Sequence, residues 1–140
     1  MADPSINELQ AKHNYDFLKC VRRNCNAFDW WITIAFYTAV HIAECKITLK
    51  ESDWRLKRLR FKDPESMHEW RAKYIAKYFP NIYKNYRILM DRCWTVRYLE
   101  AHNDVAVNIV TRQDVTDCLD THLQSILNQF NYKMKCLDQR

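Results

Sequence analysis

Arg97 and His102 bracket the stretch Arg97-Tyr98-Leu99-Glu100-Ala101-His102, with four residues between them. A guanidinium is a planar, permanently charged fork suited to holding an oxyanion. An imidazole titrates close to neutral pH, so it can take or give a proton there. The two together are equipped for proton transfer at an anionic centre, with Tyr98 as a further hydrogen-bond donor. Helix geometry sets a condition on this. At roughly 100° per residue, a straight helix turns His102 about 140° away from Arg97. The pair converges only where the helix loosens near Asn103, or where two protomers meet. The alternative is structural: an ion pair with an acid such as Asp29, or an arginine that reaches water from the last turn.

A second constellation is Trp54 to Lys62, which places Arg55, Lys57, Arg58, Arg60 and Lys62 beside Trp54 and Phe61 without an intervening acid. Cations neutralise phosphates while aromatic faces stack on unpaired bases, the combination that single-stranded nucleic acid selects. The competing reading is a solvated basic loop with Leu56 and Leu59 tucked onto the domain. His41 with Cys45, and Cys118 with His122, form two i, i+4 pairs of zinc-ligand type. They are also ordinary core residues, and no Cys-x-x-Cys is present, so no metal site and no cofactor is expected. The absence of glycine excludes glycine-rich phosphate loops.

The elements that must position these groups are helices. The chain has 140 residues, enough for one domain over 1–140 with one core, and its 48% hydrophobic content is that of a globular protein. A net charge of +5 suits a polyanionic partner. The start, Met1 to Gln10, has no basic segment followed by an apolar run, so a signal peptide is not expected and the six cysteines read as thiols of a reduced, cytoplasmic compartment. Without glycine, tight hairpins are hard to build, and Asn24, Asn26, Asn103 or Asn108 must serve where a left-handed residue is needed.

The fold class expected is all-α, an up-and-down four-helix bundle with a fifth helix. Ser5 to Glu8 reads as a capping box opening the first helix, whose stripe is Ile6, Leu9, His13, Phe17, Cys20 and Val21. Asn26 with Asp29 signals the second helix, apolar nearly all round and therefore central, running to about Leu49. A polar connection leads to Asp63-Pro64-Glu65, which restarts a helix that ends near Phe79 because Pro80 follows. The fourth helix runs from about Asn81 to Ala101, with Ile82, Tyr86, Leu89, Cys93 and Trp94 inward. After a linker, Thr111 to Asp114 opens the fifth, with Val115, Cys118, Leu119, His122, Ile126, Phe130 and Met134 as its stripe.

Three of these segments carry a resemblance. Asp29 to Cys45 resembles the first conserved helix of HEPN (higher eukaryote and prokaryote nucleotide-binding) domains, in the branch that begins Asp-Trp. Ser66, His68 and Arg71 resemble that branch's Ser–His-x-x-Arg helix, and Tyr83 to Tyr98 resembles the next one. The resemblance spans about Asp29 to Tyr98. It implies a helical, prokaryotic-type domain that handles RNA or nucleotide. It also implies a homodimer, with a partner protein such as a nucleotidyltransferase antitoxin in toxin–antitoxin pairs. Asp29, His41, His68 and Arg71 would form a structural polar core. Many HEPN domains are metal-independent endoribonucleases with an Arg-x4–6-His motif, a spacing that Arg97 and His102 satisfy, although Tyr98 stands where active members usually place a polar residue.

Two functions follow. One is a binding or accessory module for RNA or nucleotide. The other is a toxin-type ribonuclease in which Arg97 holds the phosphate and His102 moves the proton of the substrate's own 2′-hydroxyl. In both, the C-terminal half of the fourth helix is expected at a two-fold interface that covers Arg97.

Overall fold

The structure, a computed structural model, describes residues 3–97 and 112–132, with only the backbone of Arg112. The described residues are helical, and no strand occurs among them. In chain order the elements are α1 (Pro4–Asn24), α2 (Phe28–Lys50), α3 (Trp54–Arg58), α4 (Met67–Tyr78), α5 (Pro80–Arg97), α6 (Arg112–Thr116) and α7 (Gln124–Gln129). A π-helical stretch, Asp117–Leu123, joins α6 to α7.

α2 occupies the centre because it is apolar around its whole circumference: fourteen of its residues are buried, from Trp31 to Thr48. It packs against α1, α4, α5 and the π-helical stretch. Its length and hydropathy would suit a membrane span, but 72% of that window is buried inside the bundle. Burial of this kind is what holds a helical domain together, at about 25 cal/mol per Å² of apolar surface removed from water.

Local chemistry explains where the helices begin and end, and several boundaries differ from expectation. α1 is capped by Asp3, whose carboxylate accepts from Ser5 N at 2.9 Å, with Pro4 in the first helical position. The capping box at Ser5 is not used, because an acid followed by proline already fixes the turn. α2 starts after Ala27 without a side-chain cap, so Asn26 does not cap it. α4 starts at Met67 rather than at Asp63-Pro64-Glu65: Ser66 Oγ accepts from Glu69 N at 3.2 Å. Pro80 behaves as expected, ending α4 at Tyr78 and taking the first position of α5. α3, a single short turn of helix, lies in what reads as an irregular connection.

Glycine-free chains still need a left-handed residue. Among the described residues one non-glycine position has positive φ, Asn131 at 58°. It closes α7 with a Schellman pattern, Tyr132 N to Leu127 O at 2.9 Å and Asn131 N to Asn128 O at 3.1 Å. Neither Asn24 nor Asn26 takes that role; Asn103 and Asn108 lie outside the described residues, as do Thr111, Met134 and the expected end of the fourth helix at Ala101.

The largest correction concerns α1. Its bundle side is Ala11, Tyr15 and Leu18, all essentially inaccessible. Ile6, Leu9, His13, Phe17 and Cys20, the expected core stripe, face solvent, and only Val21 packs partly against the core. Ala11, Tyr15 and Leu18 join the core cluster together with α2, so the less hydrophobic face of α1 is the one that packs. On α5, Ile82, Tyr86, Leu89 and Cys93 are buried as expected, but Trp94 is 44% exposed.

One ion pair crosses this core. Glu44 of α2 is 4% exposed and Arg71 of α4 is 5% exposed. Arg71 Nη2 and Nε donate to Glu44 Oε1 at 2.7 and 3.1 Å, and Arg55 of α3 donates to the same oxygen. Glu44→Ala should destabilise the protein by about 3–5 kcal/mol, because it strands a buried guanidinium. A urea unfolding titration checks this. A loss below about 1 kcal/mol would mean that water reaches Arg71 in place of Glu44.

Candidate functional site

α4 and α5 form an antiparallel hairpin, and the groove between them opens into a cleft of about 370 Å³. Ser66, His68, Arg87, Met90, Trp94 and Thr95 are among its lining residues. The α5 members recur three and four residues apart, which puts them on one face of that helix. Ser66, as the N-cap of α4, sets where the cleft begins.

His68 is the pivot. Arg71 Nη1 lies 3.2 Å from its Nδ1. An arginine can only donate, so Nδ1 accepts and the ring proton sits on Nε2. Burial, then the charges of Arg71 and Arg97, hold its pKa below the usual 6.5. At neutral pH it is therefore an uncharged imidazole with one N–H to offer. Its ring meets Trp94 edge-on at 5.2 Å and lies against Phe36 and Tyr37, with centroids at 5.7 and 6.4 Å. Arg71 is thus shared between Glu44 in the core and His68 at the cleft. Burial works against its positive charge, but Tyr86 and Glu44 more than reverse that. The Tyr86 hydroxyl, pushed up to about 12 chiefly by burial, lies beside Arg71 without completing a hydrogen bond of ordinary geometry.

Arg97 ends α5 beyond Trp94. Its side chain is exposed rather than sealed in an apolar arc; its guanidinium lies 5.6 Å over the Tyr37 ring, and Nη1 donates to the Tyr37 hydroxyl. Tyr37 of the same chain is thus one partner of this charge. Asp29 does not belong to a polar core. It is exposed in the first turn of α2, where a carboxylate suits the helix dipole. Tyr98 and His102 lie outside the described residues.

His41 does sit half-buried as a structural residue, but its partner is an amide: Nδ1 meets Asn7 Oδ1 at 3.0 Å. His122 pairs likewise with Asn85 Oδ1 at 3.0 Å. No group of three or more His, Cys, Asp or Glu residues with metal-site geometry occurs among the described residues.

The basic run divides into two kinds of residue. Trp54 is 1% exposed, with its indole N–H on Thr48 Oγ1 at 2.9 Å and its carbonyl accepting from Trp70 Nε1 at 2.7 Å. It is a structural clasp and offers no stacking face. Arg55 is tied to Glu44, Lys57 to Glu51 at 3.1 Å, and Arg58 donates to the Glu65 carbonyl at 2.8 Å. Arg60 and Lys62 are exposed, and Arg60 meets Asp53 at 4.0 Å. The aromatic left available there is Phe61, 60% exposed, while Leu56 and Leu59 also face solvent instead of tucking onto the bundle. The Arg58–Glu65 bond folds this loop back so that it enters the cleft at Ser66. Trp94, missed as a surface residue by its helical phase, is the aromatic that opens onto the cleft.

The cleft wall carries two carboxylates and one guanidinium, Arg87 being held by Glu69 at 3.1 Å and Asp91 at 3.5 Å, with a net charge of −1. No family profile, curated protein or solved structure matches the chain.

The histidines give the fold a pH signature. His41, His68 and His122 all have lowered pKa values, with burial the first cause in each. Below about pH 6.5 the unfolded chain takes up protons that the folded one resists, so their contribution is full above that pH and is lost as pH falls. Glu51, held at about 2 instead of 4.5 first by the Tyr78 hydroxyl at 2.6 Å, adds a second loss as pH drops below about 4.5. The urea midpoint should fall from about pH 7.5 to about 5.5, and fall again below about 4.5. His68→Gln should flatten the upper step. A midpoint that rises on mild acidification would refute this assignment.

Proposed function

We propose that the chain is an HEPN-like all-α module that binds single-stranded RNA at the open end of the α4–α5 hairpin. The observation that carries this reading is the placement of Trp94 and Arg97 one turn apart on α5. A half-open indole lies on the cleft, and the guanidinium three residues on lies over the Tyr37 ring. The indole supplies a stacking face for a base, His68 Nε2–H a donor for its edge, and Arg97 a charge for the phosphate. Arg60, Lys62 and Phe61 extend the track along the loop that leads to Ser66.

A second reading, metal-independent cleavage, is favoured by one feature: a neutral imidazole, His68, lies within the field of Arg97. In it Arg97 holds the scissile phosphate, and a histidine, His102 or His68, moves the 2′-hydroxyl proton.

Fluorescence anisotropy with a labelled oligoribonucleotide tests the binding reading. Trp94→Ala should weaken binding by about 1–3 kcal/mol, roughly 5- to 150-fold. Arg60→Ala with Lys62→Ala should lower the slope of log affinity against log salt by about 1.4. Both should leave the unfolding midpoint nearly unchanged. Arg55→Ala, in contrast, should act on stability through Glu44. Absence of binding, or binding indifferent to Trp94, would overturn the reading. RNA left uncut in EDTA and in magnesium selects the binding module; products ending in 2′,3′-cyclic phosphate select the nuclease.

A further inference from the structure

The wall of the α4–α5 cleft is richer in hydrogen-bond acceptors than a phosphate site would be. α5 contributes Arg87, Met90, Asp91, Trp94 and Thr95, and α4 contributes His68 and Glu69. Two carboxylates thus stand against one guanidinium. The Thr95 hydroxyl gives its hydrogen to the Asp91 carbonyl at 2.9 Å, so its oxygen too presents lone pairs. Among these acceptors His68 offers Nε2–H as a neutral donor, and Met90, 4% exposed, adds an apolar surface.

The two carboxylates are not equivalent. Glu69 gives both oxygens to Arg87 Nη1, at 3.3 and 3.1 Å. Asp91 meets Arg87 Nε through Oδ1 at 3.5 Å, beyond ordinary hydrogen-bond length, and its side chain is 64% exposed. The Asp91 fork is therefore open to a ligand. Asp91 also precedes Trp94 by three residues, which makes the two neighbours on the surface of α5. His68 borders the same indole from α4, with ring centroids 5.2 Å apart. A base stacked on the indole has a carboxylate fork at one margin and an imidazole N–H at another.

A carboxylate fork takes two parallel donors, as it does from arginine. Among the bases of RNA, guanine alone carries two adjacent donors on one edge, N1–H and the 2-amino group, beside the acceptors O6 and N7. Adenine and cytosine set one amino group next to a ring nitrogen whose lone pair opposes the second carboxylate oxygen. Uracil flanks its single N–H with a carbonyl on each side.

We infer that the cleft selects guanine, with Asp91 accepting from N1–H and the 2-amino group and His68 Nε2–H donating on the O6 and N7 side. The inference rests on the RNA-binding reading and names the base that the indole takes. It also accounts for a negative wall in a chain of net charge +5. Such a wall repels phosphate, and so turns the base rather than the backbone toward the indole.

Fluorescence anisotropy with the full chain reads the preference, using a short labelled oligouridylate with one central guanosine, inosine, adenosine or cytidine. The guanosine probe should bind tightest. Inosine lacks only the 2-amino group and should bind about 10-fold more weakly, the loss of one hydrogen bond to a charged acceptor. Asp91→Asn keeps the side chain's size but exchanges one acceptor for a donor, so the guanosine-to-inosine ratio should fall to about 1. A general change in charge or fold moves both probes together and leaves that ratio alone. Trp94-dependent binding with equal affinity for all the probes would overturn the guanine assignment and leave the RNA-binding reading standing. So would a guanosine preference that survives Asp91→Asn. No binding of any probe, or binding indifferent to Trp94, would remove both.

Discussion

A single carboxylate in the middle of the most apolar helix organises this protein. α2 is hydrophobic on every side, and such a helix can rotate or slide in its seat at little cost. Glu44 removes that freedom, because one rotation alone brings its Oε1 to Arg71 at 2.7 Å. Burying the pair is expensive, and replacing both partners by well-packed apolar residues need not weaken a fold. What the pair supplies is registry. It ties α2 to α4, and through Arg55 to α3, so three helices share one reference point.

The same arginine carries that reference outward. Its Nη1 reaches His68, whose ring in turn abuts Trp94, so the cleft inherits its geometry from the core through three contacts. A second tie fixes the loop. The Trp54 indole binds Thr48, and Trp70 binds the Trp54 carbonyl. Trp54, which reads as a surface-stacking group in the sequence, and Trp70 thus hold the root of the basic segment, leaving its tip open. Lys57 and Lys77 close on Glu51 beside Tyr78, which holds the end of α2 against α3 and α4.

How much of this was readable depended on whether a signal was local. The all-helical class, the central rank of α2 and the break at Pro80 follow from glycine content, periodicity and proline geometry, which act within a few residues. The two faces of α1 could not be ranked that way: Ile6, Leu9 and Phe17 outweigh Ala11 in hydrophobicity, and only the shape of α2 decides between them. The π-helical stretch had a similar effect. Its wider turn shifts the buried phase, so Leu123 is buried where His122 was expected and the imidazole turns to Asn85. At the site, His68 and Arg71 were legible as a structural pair. Arg71's core partner Glu44 was not, because nothing in a sequence marks which acid on an apolar helix will meet a cation from another. Arg97 was singled out, but its partner Tyr37 comes from α2 and only the packing brings the two together.

The edge-on meeting of His68 and Trp94 has an optical consequence. A protonated imidazole next to an indole drains its excited state by accepting an electron, whereas a neutral one does so weakly. Trp54, Trp31 and Trp70 are shielded in the core, and Trp30 stands at the start of α2, so one chromophore of the five is coupled to a titrating ring across the cleft. The protein therefore holds its own light-emitting gauge of the protonation state and occupancy of that cleft, with no label attached.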